Sequence, residues 1–289
     1  MNGSRRKRII ITADDFGLNP AVNEAVERAC TQGILTTTSL MVGQAASEDA
    51  VERATRLSQL KVGLHVALTD ARSVLPPTEI PDLVDARGLF RPGMALAGVR
   101  FFFLPRVRRQ LAAEILAQFN LFAATGLQLD HVNAHKHFHL HPTVLNLILE
   151  IGRDFGLRAV RLPREPLRAE RGVPLGGVVA RLGGTAFLSP WVTLMKARLE
   201  RAKIAHNDSI FGLSATGRMD ETELLAILAA LPNGVTEIYL HPAVPGTANP
   251  GGAGDGSQTE LAALTSPRVR AALERDGIER IAFNDLVVP

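Results

Sequence analysis

The sequence predicts an α/β fold built around a mainly parallel sheet. Short β-rich segments alternate with amphipathic helical segments along almost the whole chain, the pattern of repeated strand–helix–strand units. About seven such units in 289 residues favour closure into a barrel over an open, doubly wound sheet. No internal repeat, linker or low-complexity tract divides the chain, so a single domain over residues 1–289 is expected.

The elements follow in order. Residues 8–13 (RIIITA) form a short buried strand that stops at Asp14-Asp15-Phe16-Gly17. Asn19-Pro20 opens a helix to about Gln32, with Ala21, Ala25, Val26 and Cys30 at helical spacing. Residues 35–42 are β-rich, 47–57 helical, and 60–68 an apolar strand. Residues 70–100 carry Pro and Gly at many points and read as a long loop or lid. A helix over 106–125, a strand over 127–133, a helix over 143–155 and a strand over 158–162 come next. Residues 164–185, rich in Pro, Gly and Arg, read as loop. Helices over 191–202 and 221–231, a strand over 237–240, a helix over 268–276 and a last strand over 281–283 complete the pattern.

Composition bounds the function. Hydrophobic residues make up 46 % and charged residues 21 %, which suits a packed core and argues against disorder. The net charge of +3 comes from scattered arginines; nucleic acid is not expected as a partner, and an anionic membrane surface fits somewhat better. The single cysteine, Cys30, excludes a disulfide within the chain and a Cys-based zinc site. The basic N-terminus is followed by too few apolar residues for a signal peptide, and no run of about 20 apolar residues appears. A cytoplasmic enzyme is expected, with peripheral contact at the inner membrane face and homo-oligomer formation left open.

Eight histidines are present, and five of them lie between Asp130 and Pro142: His131, His135, His137, His139 and His141. Neutral imidazole is the commonest metal ligand and moves protons near neutral pH. The positions of the metal-capable residues are more informative than their number. Asp14 and Asp15 follow the first strand, His65 lies near the end of the third, His135 follows the strand over 127–133, and His241 follows Leu240 directly. In a parallel barrel these strand ends meet at one face, where active sites are built. One Asp with two His leaves coordination positions open, as in catalytic rather than structural sites. Two adjacent aspartates suit a division of labour, one turned to a metal and one held back as base.

Taken together, Thr12-Ala-Asp-Asp-Phe-Gly17, Gly63-Leu-His-Val66, Ala134-His-Lys-His-Phe-His139 and His241-Pro242, in this order and spacing, resemble the YdjC-like carbohydrate deacetylases nearly end to end. That resemblance implies a distorted (β/α) barrel and removal of N-acetyl groups from amino sugars with a divalent metal. It implies Asp15, His65 and His135 as metal ligands, Asp14 as general base and His241 as general acid. The metal would be Zn, Mg, Mn, Co or Ni, since such O/N donor sets admit several ions. The family commonly has Asp-Ser-His where this chain has Asn133-Ala134-His135, so a carboxylate behind the ligands is either missing or supplied by Asp130. The Asp130-His-Val-Asn-Ala-His135 variant resembles a branch associated with hopanoid biosynthesis, which implies an acetylated amino sugar on a triterpenoid lipid.

Other residues carry two readings each. His137 and His139 line the pocket or orient ligands, whereas His131, His141 and His206 are expected to be structural or exposed. Arg161 either contacts substrate hydroxyls or forms a salt bridge. Residues 100–104 (RFFFL) with Arg106, Arg108 and Arg109, and the Trp191 segment over 187–199, are either a lipid-facing lip or helices packed on the barrel. The Gly-rich run 250–254 lacks the context of a phosphate loop and reads as a flexible connection. Two other functions compete: another metal hydrolase on a similar barrel, such as an amidohydrolase or phosphoesterase, and a non-catalytic metal- or lipid-binding protein. A metal sink does not need Asp14, His65 and His241 on separate strands, and amidohydrolases usually end their first strand in His-x-His rather than Asp-Asp.

Overall fold

The computed structural model describes residues 6–91, 93–166, 189–245 and 256–287. At the centre of the sheet is β1 (Lys7–Phe16), whose Ile9, Ile10 and Ile11 are fully buried. To one side lie β2 (Thr37–Leu40), β3 (Lys61–Val66) and β4 (Leu129–Ala134). To the other lie β6 (Gly234–Leu240) and then β5 (Ser209–Phe211), giving the order β4-β3-β2-β1-β6-β5 with parallel pairing throughout. The short β7 (Glu279–Arg280) pairs with the start of β1.

Residues 158–164 join the two outer strands. Val132 N donates to Ala159 O at 3.0 Å and Arg161 N to Val132 O at 3.2 Å, on the β4 side. Val160 N donates to Ala205 O at 3.0 Å and Ile210 N to Arg164 O at 2.9 Å, on the β5 side. The sheet therefore curls into the distorted barrel that the sequence predicts.

Helices wrap the outside: α1 (Pro20–Gln32), α2 (Ser47–Arg56), α3 (Met94–Phe103), α4 (Pro105–Ala124), α5 (Pro142–Gly152), α6 (189–201), α7 (Glu221–Ala229), α8 (Gly256–Leu264) and α9 (Pro267–Arg275). Asn19 caps α1 by accepting the Val22 N–H at 3.0 Å, with Pro20 at the first helical position. No helix among the described residues is long and apolar enough to cross a membrane.

Three expectations change. β1 continues through Asp14 and Asp15 instead of stopping before them, and its register with β2 shifts between Ala13 and Phe16. The stretch expected to be loop up to residue 100 ends in α3, where Met94-Ala-Leu-Ala supplies good helix formers behind a left-handed Gly93. The last strand is confined to Glu279–Arg280; Ile281 N still donates to Ile9 O at 2.9 Å, and the chain then leaves the sheet. The loop expected over 164–185 and the Gly-rich run over 250–254 lie almost wholly outside the described residues, as does Phe187.

The loop after β3 is fastened to α4, not free to swing. Gln110, Glu114 and Gln118 recur every four residues and so form one polar stripe on the helix. Gln110 accepts the Asp82 N–H, Glu114 accepts the Val74 and Leu75 N–H groups, and Gln118 both accepts from and donates to the Ala67 backbone. Burial pushes the Glu114 carboxyl upward, opposed by these N–H donors.

Candidate active site

Adjacent residues on a regular strand face opposite sides of a sheet. The bulge in β1 breaks that rule: Asp15 adopts a left-handed backbone (φ 65°), and both Asp14 and Asp15 reach polar partners inside the barrel. Aspartate tolerates this conformation better than most residues. On β6, Glu237 and Tyr239 alternate along the strand and so share a face, and His241 follows directly after its last residue, Leu240.

Asp15, His65 and His135 converge. One ligand atom from each lies within 4.8 Å of the other two, and all three residues are buried. His135 Nδ1 is 2.9 Å and His65 Nε2 3.3 Å from Asp15 Oδ1, and the two rings meet edge to face at 5.6 Å. Asp15 Oδ2, His65 Nε2 and His135 Nε2 are buried without a hydrogen-bond partner among the described residues. Buried polar atoms are rarely left so. Converging residues that each keep an unpaired atom of ligand type fit a cation.

Asn133 sets the ring of His65. Its Nδ2 donates to Asp14 Oδ1 at 3.1 Å and to Ser39 Oγ at 3.2 Å, so its Oδ1 is the acceptor that faces His65 Nδ1 at 2.6 Å. Nδ1 then carries the proton and Nε2 keeps its lone pair. An amide thus stands where a carboxylate was expected. Asp130 does not supply one: it bonds Thr37, His131 and the Asn284 N–H instead. Replacing Asn133 with Leu is expected to weaken divalent-ion affinity about 10–100-fold, measured by titration calorimetry, because His65 loses the partner that orients it.

Asp14 is held by Arg161. The guanidinium donates to Asp14 Oδ2 at 2.5 Å and Oδ1 at 2.9 Å, and on its other side to Glu237 at 2.7–3.1 Å. Arg161 is fully buried and lies 4.8 Å from the centre of the Tyr239 ring. It forms the salt bridge and has no surface left for a substrate hydroxyl. Burial alone would raise the Asp14 pKa, but Arg161 and the nearby His65 and His241 hold it well below the usual carboxylate range. Burial likewise opposes ionisation of Asp15, and the His135 and His65 contacts override it. Burial disfavours the charged form of His65, yet Asp14, Asp15 and Asn133 raise its pKa. Asp14, Asp15 and Glu237 together exceed Arg161 by two negative charges, which a divalent cation would offset.

The remaining histidines separate. His137 Nε2 lies 3.1 Å from Tyr239 Oη, and its ring meets the Tyr239 ring at 84°. Burial first, then Arg161, depresses its pKa. His139 lies 3.2 Å from the Arg161 carbonyl, and burial lowers its pKa to about 3. Lys136 and His137 both have positive φ (52° and 57°), so the turn after His135 holds strain that neighbouring contacts must support. Lys136 supplies one such contact, an ion pair with Asp70 at 2.5 Å. His241 is half-buried beside Tyr239, its N–H held by Glu260 Oε2 at 2.6 Å and its Nδ1 without a partner among the described residues. His131 is structural, stacked on Phe283, and His141 caps α5 through Thr143 N. His206 is half-buried and bonds the Asn207 carbonyl.

Sequence reasoning missed Glu237, Tyr239, Asn133 and Ser39. A charged and a phenolic residue at i and i+2 before His241 are the signal that β6 turns a polar face inward. Cavities of about 570 and 550 Å³, lined among others by Arg153, Arg158 and Lys203 and by Arg8, His206 and Asp208, share no residue with this site.

Residues 8–275 match the sequence model of the family described as YdjC-like protein. A carbohydrate deacetylase of Mus musculus is 33 % identical over 310 residues, spanning 97 % of this chain and 95 % of that one. A carbohydrate deacetylase of Vibrio vulnificus is 30 % identical, spanning 97 % and 96 %. Among solved structures, an Enterococcus faecalis protein described as a candidate for cellobiose-phosphate cleavage has TM-score 0.75 at 25 % identity, covering 98 % of this chain and all (100 %) of that one.

Proposed function

The chain belongs to the YdjC-like family, and from that premise and the geometry of the site we propose that it hydrolyses the N-acetyl group of an amino sugar, using a divalent ion held by Asp15, His65 and His135. The observation that carries this reading is the convergence of three buried residues, one ligand-type atom of each within 4.8 Å of the other two, beside an ionised carboxylate. A divalent ion there would lower the pKa of a water and polarise the amide carbonyl. The donor set suits Zn, Mn, Co, Ni or Mg.

Asp14 serves as the base. Its Oδ1 accepts from Ser39, Asn133 and Arg161, while its Oδ2 accepts from Arg161 alone and retains room for the proton of an attacking water. Arg161 keeps that carboxylate charged and fixes its plane. His241 serves as the acid for the departing amine, with the Glu260 contact fixing its backbone. Water adds across the amide, acetate leaves with the acyl carbon, and the sugar nitrogen departs as a free amine. The whole chain acts as one domain in this reading, and its sugar is attached to a triterpenoid lipid of the hopanoid class. Exposed aromatic side chains on α3 support the lipid half.

Incubating the protein with N-acetylglucosamine-type compounds should release acetate and free amine in equal amounts. Chelation should abolish release and a divalent ion should restore it. Absence of acetate from every metal-loaded form, on soluble and lipid-linked N-acetyl sugars alike, overturns the proposal.

A further inference from the structure

Leu96, Val99 and Phe103 recur at i, i+3 and i+7 on α3, and they are 67 %, 54 % and 75 % exposed. One whole face of this helix is therefore apolar and uncovered among the described residues. Phe102 (40 % exposed) and Leu104 (44 %) extend it. The opposite face is anchored: Phe101 is buried against Phe138 and His141, with ring centres 5.5 and 5.9 Å apart. Phe102 packs against His141, ring centres 4.3 Å apart and planes tilted by 59°, and meets Trp191 of α6 at 6.1 Å, so the two aromatic segments form one lip. His141 closes the turn that begins with His135, which places the lip on the rim that carries the active site.

Charge gives the lip a direction. From Gly93 to Gly126 the sequence has Arg100, Arg106, Arg108 and Arg109 but only one acidic residue, Glu114, which is fully buried. Asp82 pairs with Arg100 and Arg106. Arg108 and Arg109 are exposed near the start of α4, a few residues beyond Phe103 and Leu104. Exposed Phe and Leu bordered by exposed Arg is the composition of helices that lie in the headgroup region of anionic bilayers. We propose that the α3–α4 lip, completed by Trp191, docks the protein on an anionic lipid surface with its active-site rim toward the bilayer. The proposal stands apart from the deacetylase reading, since lipid binding is measured without turnover.

Trp191 is the only tryptophan and sits in the lip, so its fluorescence reports docking directly. The test is co-sedimentation and Trp191 emission with phosphatidylcholine vesicles, with and without phosphatidylglycerol. Binding and a blue shift are expected only with phosphatidylglycerol and should fade as salt rises. Arg108→Glu with Arg109→Glu should weaken partitioning roughly ten- to thirty-fold or more. Phe103→Ser should weaken it roughly tenfold. Both variants should keep the thermal midpoint of the parent, since the three side chains are exposed. Equal binding to both vesicle types, or no binding to either, overturns the proposal. So does a wild-type dimer that dissociates on Phe103→Ser, which would assign the face to a second copy of the chain.

Discussion

Asp14→Asn is expected to cut turnover about 10²- to 10⁴-fold while the divalent ion still binds. An amide at this position has nearly the same shape but cannot take a proton from water near neutral pH. The ligand atoms of Asp15, His65 and His135 belong to other residues, so the ion keeps its donors. Folding should survive, because Arg161 retains Glu237 as a buried counter-charge. The cost is local: the new N–H faces an N–H of Arg161 where a charge-assisted bond was, worth about 1–3 kcal/mol. Acetate release, ion titration and thermal midpoint on the same preparation separate these effects. Parent-level acetate release from the Asp14→Asn protein shows that Asp14 is not the base. Because the Asp14 pKa lies below the usual range, its contribution to stability is present above the unfolded-state carboxylate pKa and is lost as pH falls through the lower folded value.

Asp15→Asn and His135→Ala are each expected to lower ion affinity by more than about a hundredfold and to remove acetate release with it. His135→Ala deletes one of three donors, and Asp15→Asn exchanges a carboxylate oxygen for a weaker, neutral amide oxygen and removes one of the two excess negative charges that favour a cation. A proton competes for the same place. His65 takes up a second proton, on Nε2, more readily than an ordinary imidazole because Asp14 and Asp15, against the opposing effect of burial, stabilise the charged ring. Ion binding must expel that proton, so affinity should fall as pH drops through the His65 titration and recover as it rises. Titration of the parent and both variants at several pH values checks this. Unchanged affinity in Asp15→Asn contradicts the ligand set.

The strand ends were the legible part of the site. Hydrophobic runs located β1, β3, β4 and β6, and chain order alone then placed Asp14, Asp15, His65, His135 and His241 on one rim. The bulge that turns both aspartates inward was not legible, because a single left-handed Asp15 leaves no mark on hydrophobic periodicity. Helix α3 was hidden by the Pro and Gly that surround it in sequence. Sequence leaves the carboxylate behind the histidines either missing or supplied by Asp130; on β4 Asp130 alternates away from Asn133 and reaches Thr37 and Asn284, so that carboxylate is missing. Arg161 was ambiguous and Glu237 was missed for the same reason: their meaning depends on pairing across 76 residues, which spacing within one segment does not show.

The most direct measurement is anomalous scattering from crystals of the protein equilibrated with zinc. One peak is expected, roughly 2.0–2.2 Å from an oxygen of Asp15 and a ring nitrogen each of His65 and His135. A peak held instead by His137 and His139, or a fully loaded crystal with no peak at Asp15, contradicts the assignment of this site.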